Sequence, residues 1–126
     1  MLVLPQKCRR YLQERGIAFE EVLENGQKAV VLKAFDLPAG RFDTDKADIL
    51  ILLPPGYPDC PPDMFYALPW LKISIVNRYP RAADQPVIFQ NATWQRWSRH
   101  NNEWRPGVDG LWTMLKRIEH ALQEAA

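Results

Sequence analysis

The chain has 126 residues, of which 47% are hydrophobic and 25% charged. This length favours a single domain over residues 1–126, and the apolar content is enough to exclude intrinsic disorder. Sixteen lysines and arginines against fifteen aspartates and glutamates leave a formal charge of +1, so no overall field favours a nucleic acid as partner.

The N-terminal half predicts a helix followed by strands. Residues 5–15 contain good helix formers, with a proline at the first turn and a glycine just beyond the end. The Asn-Gly pair at 25–26 is a strong hairpin signal between the apolar-rich residues 18–23 and 29–32. A continuous apolar run over residues 49–53 predicts a buried third strand.

A proline-rich loop opens the second half. Residues 54–62 hold five of the eleven prolines, which lack a backbone donor and cannot continue a strand. We predict that pairing resumes near residues 64–66, that residues 71–76 form another strand and that residues 78–85 form a loop. Residues 86–103 follow no clear pattern.

The last element is predicted to be an amphipathic helix capped by Asp109. Helical spacing links its apolar residues, which are Leu111, Met114, Leu115, Ile118, Ala121 and Leu122. The whole order is a helix, three or four consecutive strands, an irregular stretch and a helix. It predicts an α+β domain in which an antiparallel β-meander carries the N-terminal and the C-terminal helix on one face.

Two motifs carry a resemblance to a known family. Residues 53–65 read LPPGYPDCPPDMF and resemble the Tyr-Pro-x-x-Pro-Pro segment that follows the third strand of ubiquitin-conjugating enzymes. Residues 104–106 read Trp-Arg-Pro and resemble the Trp-x-Pro element that precedes a helix in that superfamily. The similarity in order and distance covers essentially the whole chain. It implies a UBC-like fold and a divergent bacterial member of the superfamily.

The sequence departs from that family at the catalytic thiol. Conjugating enzymes hold a thioester on a cysteine that lies shortly before the Trp-x-Pro tryptophan and after a His-Pro-Asn tripeptide. Residues 91–98 read NATWQRWS, and no cysteine follows Cys60. Because serine and threonine need a positioned base to act as nucleophiles, thioester relay at the usual position is excluded. For Cys8 and Cys60 we favour a buried apolar role over that of a displaced nucleophile.

Candidate catalytic residues lie within residues 94–105. His100 and Ser98 are candidates for the base and the nucleophile of an acyl-oxyester intermediate, and Asn101 for a hydrogen-bond donor to an oxyanion. Ser98 and His100 would face the same side in an extended chain but diverge on a helix. The alternative for His100 is a surface histidine that hydrogen-bonds nearby backbone.

Arg96, Arg99 and Trp97 are candidate partner-binding residues. They would form a basic and aromatic surface that holds a carboxylate or the flexible tail of a partner. The same residue types can stack on single-stranded nucleic acid, but the balanced net charge argues against that use.

No metal or cofactor is predicted. The two histidines, His100 and His120, are far in sequence from both cysteines and lack the spacing of a metal motif. The glycines form no phosphate-binding loop. The low cysteine content and the lack of a long apolar stretch predict a cytoplasmic protein without a membrane partner.

The resemblance implies a component of a bacterial ubiquitin-like protein conjugation pathway. The chain would receive or position the ubiquitin-like protein, and its partners would be that protein and an activating, adenylating enzyme. The alternative is a non-catalytic adaptor of the same fold that binds either partner, which the missing cysteine favours directly. Whether the chain is an enzyme is left open by the sequence.

Overall fold

The computed structural model describes residues 2–100 and 103–126. Within those ranges the chain forms two α-helices and six β-strands. In chain order these are α1 (Gln6–Glu14), β1 (Phe19–Glu24), β2 (Gln27–Asp36), β3 (Lys46–Leu53), β4 (Phe65–Leu68), β5 (Gln85–Phe89), β6 (Ala92–Trp97) and α2 (Leu111–Glu124).

The first helix and the hairpin form where the sequence predicts them. α1 is followed by Gly16, whose φ of 67° is readily adopted only by glycine. The turn between β1 and β2 contains Asn25 and Gly26, both at positive φ, as a tight hairpin turn of this kind requires. Local sequence signals are therefore sufficient to define this part of the fold.

All six strands belong to one antiparallel sheet in the order β1-β2-β3-β4-β6-β5. The first four strands form the predicted meander. A second hairpin, which the sequence did not reveal, extends it, with β6 next to β4 and β5 at the edge. Pro86 is tolerated there because an edge strand leaves part of its backbone unpaired.

The strand predicted over residues 71–76 is wrong. Ile73 makes only isolated bridges among the described residues, to Phe42 and Arg78. The Asn77 N–H donates back to the Ile73 carbonyl at 2.8 Å, which closes the segment into a turn. The apolar alternation that suggested a strand comes from Leu71 and Ile73 entering the core, while Ile75 in the turn is 90% exposed.

One face of the sheet and both helices enclose the main core. Side chains alternate along a strand, so Val30 and Leu32 of β2 point to the helices while Val31 points away. Val31 belongs to a second cluster on the other face. The Gln90 N–H, in the turn between β5 and β6, donates to the Glu24 carboxylate at 3.0 Å. This contact joins the far hairpin to the first one and curls the sheet over the second cluster.

The helix α2 begins one residue later than predicted. Its N-cap is Gly110, and Asp109 precedes the cap. The Asp109 carboxylate accepts hydrogen bonds from the Arg105 backbone N–H at 2.8 Å and from the Thr113 hydroxyl at 3.0 Å. These bonds, with the Arg105 side chain as the largest cause, lower the pKa of Asp109 to about 2. Asp109 therefore ties the Trp-x-Pro segment to the helix instead of capping it.

No helix in residues 2–100 or 103–126 combines the length and the hydropathy needed to cross a membrane.

Candidate functional site

The proline-rich loop and the segment before α2 meet at two contacts. His100 Nδ1 lies 2.7 Å from Asp63 Oδ1, although the two residues are 37 positions apart. Trp104 Nε1 donates to the Pro58 carbonyl at 2.9 Å. The two motifs that carry the family resemblance therefore flank one junction, which also holds the histidine singled out from the sequence.

The Asp63 contact determines which imidazole nitrogen of His100 is free. A carboxylate oxygen accepts a hydrogen bond from an N–H group. In the neutral His100 ring Nδ1 therefore carries the hydrogen and Nε2 carries the lone pair. The His100 side chain is 56% exposed, so a substrate can reach it. The pair can orient an imidazole that takes a proton from an approaching amine, hydroxyl or water.

The predicted pair of Ser98 and His100 is not joined by a hydrogen bond. Among the described side chains, Ser98 Oγ contacts Met64 Sδ at 3.6 Å, while His100 is held by Asp63. Both residues nevertheless line the same groove. The third candidate, Asn101, lies outside the described residues, so its role stays a prediction.

The structure separates the predicted partner-binding residues. Trp97 is fully buried and stacks on Phe65 with ring centroids 5.2 Å apart, so its side chain packs the core and is not presented to a partner. Arg96 pairs in register with Tyr66, which places it on the face of the sheet away from the helices. Arg99 lies on the helix side, with its guanidinium 5.1 Å from the Trp97 ring centroid.

An open groove of about 610 Å³ runs between the end of β6 and α2. It is lined by Ser98, Arg99 and His100 on one side and by Lys116, Arg117, His120, Ala121 and Glu124 of α2 on the other. Burial lowers the pKa of both Arg99 and Arg117, and the charge of nearby Arg81 lowers that of Arg99 further. The groove therefore holds positive charge that is only partly solvated and suits a carboxylate.

Sequence reasoning missed Asp63 and Arg117. Arg117 Nη2 donates to the Arg99 carbonyl at 2.8 Å and so fixes α2 against the chain before His100. Neither residue has a local signal, because each acts across a long sequence separation.

The two cysteines have different environments. Cys8 is buried, as expected, and its Sγ lies 3.0 Å from the Tyr57 hydroxyl. Burial, with a smaller contribution from that hydrogen bond, raises the pKa of Tyr57 well above its usual value. Cys60 is exposed, which corrects the expectation of a buried apolar side chain. The exposed thiol belongs to the proline-rich loop and not to the segment before Trp104.

The described residues contain no group of three or more His, Cys, Asp or Glu side chains that could hold a metal ion. No arrangement of that kind accompanies the groove in residues 2–100 and 103–126.

Comparison with known families gives one match over nearly the whole chain. The family described as prokaryotic E2 family E matches residues 4–125, a range that includes the proline-rich loop, the His100 contact and both helices. No curated protein and no solved structure matches the chain. The family relationship inferred from the two motifs is confirmed, and the chain belongs to prokaryotic E2 family E.

Proposed function

We propose that this protein works in a bacterial ubiquitin-like conjugation pathway, where it receives a ubiquitin-like protein from an activating enzyme and positions its C-terminal tail beside His100. The observation that carries the proposal is the 2.7 Å contact between His100 and Asp63. This contact supports a role for His100 as an oriented base at the junction of the two family motifs. Membership of prokaryotic E2 family E supports the pathway.

The groove supplies the binding part of this proposal. Arg99 and Arg117 line it with partly buried guanidinium groups, which bind carboxylates in a planar, two-pronged geometry. A flexible tail lying along α2 would bring its C-terminal end close to Ser98 and His100. Partner binding at this site therefore uses the predicted Arg99, whereas Arg96 would need a separate contact on the other face of the sheet.

His100 supplies the chemical part. An acceptor amine must lose a proton as its nitrogen attacks the acyl carbon of the tail, and Nε2 of His100 can take that proton. The new C–N bond forms as the bond between the acyl carbon and the oxygen or sulfur that carries it breaks. That oxygen or sulfur leaves and takes up a proton. The base requires its orientation by Asp63, so the two residues act as a unit.

The helix, the first three strands, the proline-rich loop and the Trp-Arg-Pro segment follow one another in the order that the conjugating-enzyme resemblance implies. We therefore assign the α+β domain to the UBC-like fold, extended by the second hairpin. In this proposal the protein is cytoplasmic, and neither nucleic acid nor a membrane is a partner.

The alternative is a non-catalytic adaptor of the same fold. It is favoured by the absence of cysteine from residues 61–126 and by the contact of Ser98 with Met64 instead of a base. An adaptor needs the groove to bind the ubiquitin-like protein or the activating enzyme, but it does not need the oriented His100.

The test combines the protein with ATP and with the activating enzyme and ubiquitin-like protein of the same organism. The proposal expects conjugate formation that falls in His100→Gln and Asp63→Asn while binding is retained. His120→Gln is the matched control, since His120 lines the same groove without the Asp63 contact. Binding with conjugation unchanged in all three variants would establish the adaptor, and no binding at all would overturn both functions.

The same reactions distinguish a covalent intermediate. An adduct that survives thiol, yields to hydroxylamine and is lost in Ser98→Ala would be an oxyester on Ser98. An adduct released by thiol and lost in Cys60→Ala would be a thioester on the exposed Cys60. With neither adduct, the ubiquitin-like protein is held without a covalent bond.

A further inference from the structure

A second concave surface adjoins the groove on the far side of Arg99. It measures about 690 Å³ and is lined by Arg78, Arg81, Ala82, Ser98, Arg99 and Glu124, together with Ala126. Ser98, Arg99 and Glu124 are shared with the groove beside His100. We call this surface the arginine lobe. Its Arg78 and Arg81 have no part in the function proposed above.

The three arginines of the arginine lobe, Arg78, Arg81 and Arg99, are not ion-paired with any acidic side chain in residues 2–100 and 103–126. Arg81 is close enough to Arg99 for its charge to disfavour the Arg99 cation. Arg81 and Arg99 repel each other, and a bound anion would relieve that repulsion.

The backbone that carries these arginines is fixed by hydrogen bonds. The Arg78 carbonyl accepts from the Ile73 N–H at 2.8 Å, and the Arg81 N–H donates to the Ala126 carbonyl at 2.9 Å. Between them and β6, the Ser98 N–H donates to the Ala82 carbonyl at 3.0 Å. The backbone of the arginine lobe is therefore in place before any ligand arrives, which lowers the entropic cost of binding.

Arg99 itself is held on the aromatic face of Trp97. Its guanidinium lies 5.1 Å from that ring centroid, and Nη1 donates to the Ser98 carbonyl at 3.0 Å. No other hydrogen bond of the guanidinium is made to the described residues, so its remaining N–H groups can bind a ligand. A planar fork with several donors matches the oxygen geometry of phosphate and carboxylate groups.

We propose that Arg78, Arg81 and Arg99 form a binding site for an oxyanion, the phosphate or carboxylate group of a ligand that enters the arginine lobe. Because Ser98 and Arg99 also line the groove, a bound ligand sits next to the candidate site without occupying it. The oxyanion and a ubiquitin-like tail in the groove would therefore both use the Arg99 guanidinium. Glu124 is the opposing side-chain charge in the lobe and limits its affinity.

The proposal is tested by calorimetric titration of the full chain at constant ionic strength. The probes are inorganic phosphate, an acetylated peptide that ends in a free glycine carboxylate, and the same peptide as its amide. We expect saturable binding of phosphate or of the free carboxylate and none of the amide. Preference for one probe identifies the source of the oxyanion, and equal heats from the peptide and its amide would overturn the proposal.

Variants separate the site from general attraction to a basic surface. Arg81→Gln and Arg78→Gln replace exposed side chains and should each weaken binding by about tenfold or more, with the melting temperature unchanged. Arg10→Gln, an exposed arginine of α1, is the matched control and should leave the affinity unchanged. Equal losses in Arg10→Gln and Arg81→Gln would refute a specific site.

One variant should improve binding. Glu124→Gln removes a negative charge from the arginine lobe without changing the shape of the side chain, and we expect the affinity for phosphate to rise by a few-fold. An unchanged or weaker affinity in Glu124→Gln would contradict the placement of the ligand in this lobe.

Discussion

Replacing Gln95 with methionine tests the arrangement that holds the site together. Gln95 is fully buried in β6, and its amide makes four hydrogen bonds. Oε1 accepts from the Leu71 N–H at 2.8 Å and from Trp97 Nε1 at 3.1 Å. Nε2 donates to the carbonyls of Leu71 at 3.0 Å and Ala83 at 2.8 Å. One side chain thus joins β6 to both ends of the segment that carries Arg78 and Arg81.

The cost of this change follows from the groups it leaves unpaired. Methionine nearly matches glutamine in volume, so no large cavity forms, but four buried polar groups lose their partner. Each unsatisfied buried group costs about 1–3 kcal/mol, and partial relaxation makes the costs less than additive. We expect a loss of about 3–5 kcal/mol in the free energy of unfolding, or a fall of about 10–20 °C in melting temperature for a chain of this length.

The assay is urea unfolding followed by tryptophan fluorescence, with a thermal melt alongside. Gln13→Met is the control, because Gln13 is exposed on α1 and the change should stay within about 0.5 kcal/mol. We also expect Gln95→Met to weaken phosphate binding, since the turn carrying Arg81 loses its anchor. A loss of less than about 1 kcal/mol in the free energy of unfolding of Gln95→Met would refute this reasoning, because even one unsatisfied buried group should cost about 1–3 kcal/mol.

Three further outcomes are expected. Asp63→Asn should reduce conjugation by about tenfold or more while changing stability by less than about 0.5 kcal/mol, because its contact with His100 is exposed; a matching loss of stability would indicate a structural role instead. The hydrogen bond from Arg9 is the largest cause that lowers the pKa of Glu21 to about 2, against 4.5 for the free group. The ionised Glu21 therefore stabilises the fold above pH 4.5 and loses this effect as pH falls towards 2, so Glu21→Gln should be less stable than the wild type at pH 7 and the gap should close in acid, as urea titrations at both pH values would show. Tyr57→Phe removes the contact with Cys8 and should cost about 1 kcal/mol in urea unfolding, and a gain in stability would contradict that contact.

Local patterns in the sequence predicted much of the scaffold. Helical spacing, the Asn-Gly turn and the apolar run of β3 each act over a few residues, and all three predictions are confirmed. The prolines of residues 54–62 likewise ended the strand before them. These signals work because each depends only on neighbouring residues and not on contacts between distant elements.

The second hairpin escaped prediction because β6 is buried on both faces. Trp94 and Gln95 are consecutive and both lie below 5% exposure, so the strand lacks the alternation of polar and apolar residues. Its buried amide is also unexpected from composition, since the partners of Gln95 lie 24 and 12 residues away. Only the assembled sheet shows that those partners exist.

The sequence identified only one partner of the contact between His100 and Asp63, because that contact depends on the assembled fold. His100 stood out as one of two histidines beside a recognisable motif, but Asp63 looked like an ordinary loop residue. Its carboxylate matters only because the proline-rich loop folds back onto residue 100. Ser98 stays a candidate nucleophile, but its hydroxyl contacts Met64 and makes no hydrogen bond with His100.

The junction of the two motifs combines half-buried structural contacts with an exposed pair of reactive side chains. The hydrogen bond between Tyr57 and Cys8 holds the proline-rich loop against α1, and the bond from Trp104 to the Pro58 carbonyl joins that loop to the segment before α2. His100 and Asp63, which are 56% and 65% exposed, contribute little to these contacts. The scaffold therefore does not depend on which reactive group sits at its surface. In the proposed function, this exposed pair presents an oriented imidazole in a chain that has no cysteine after Cys60.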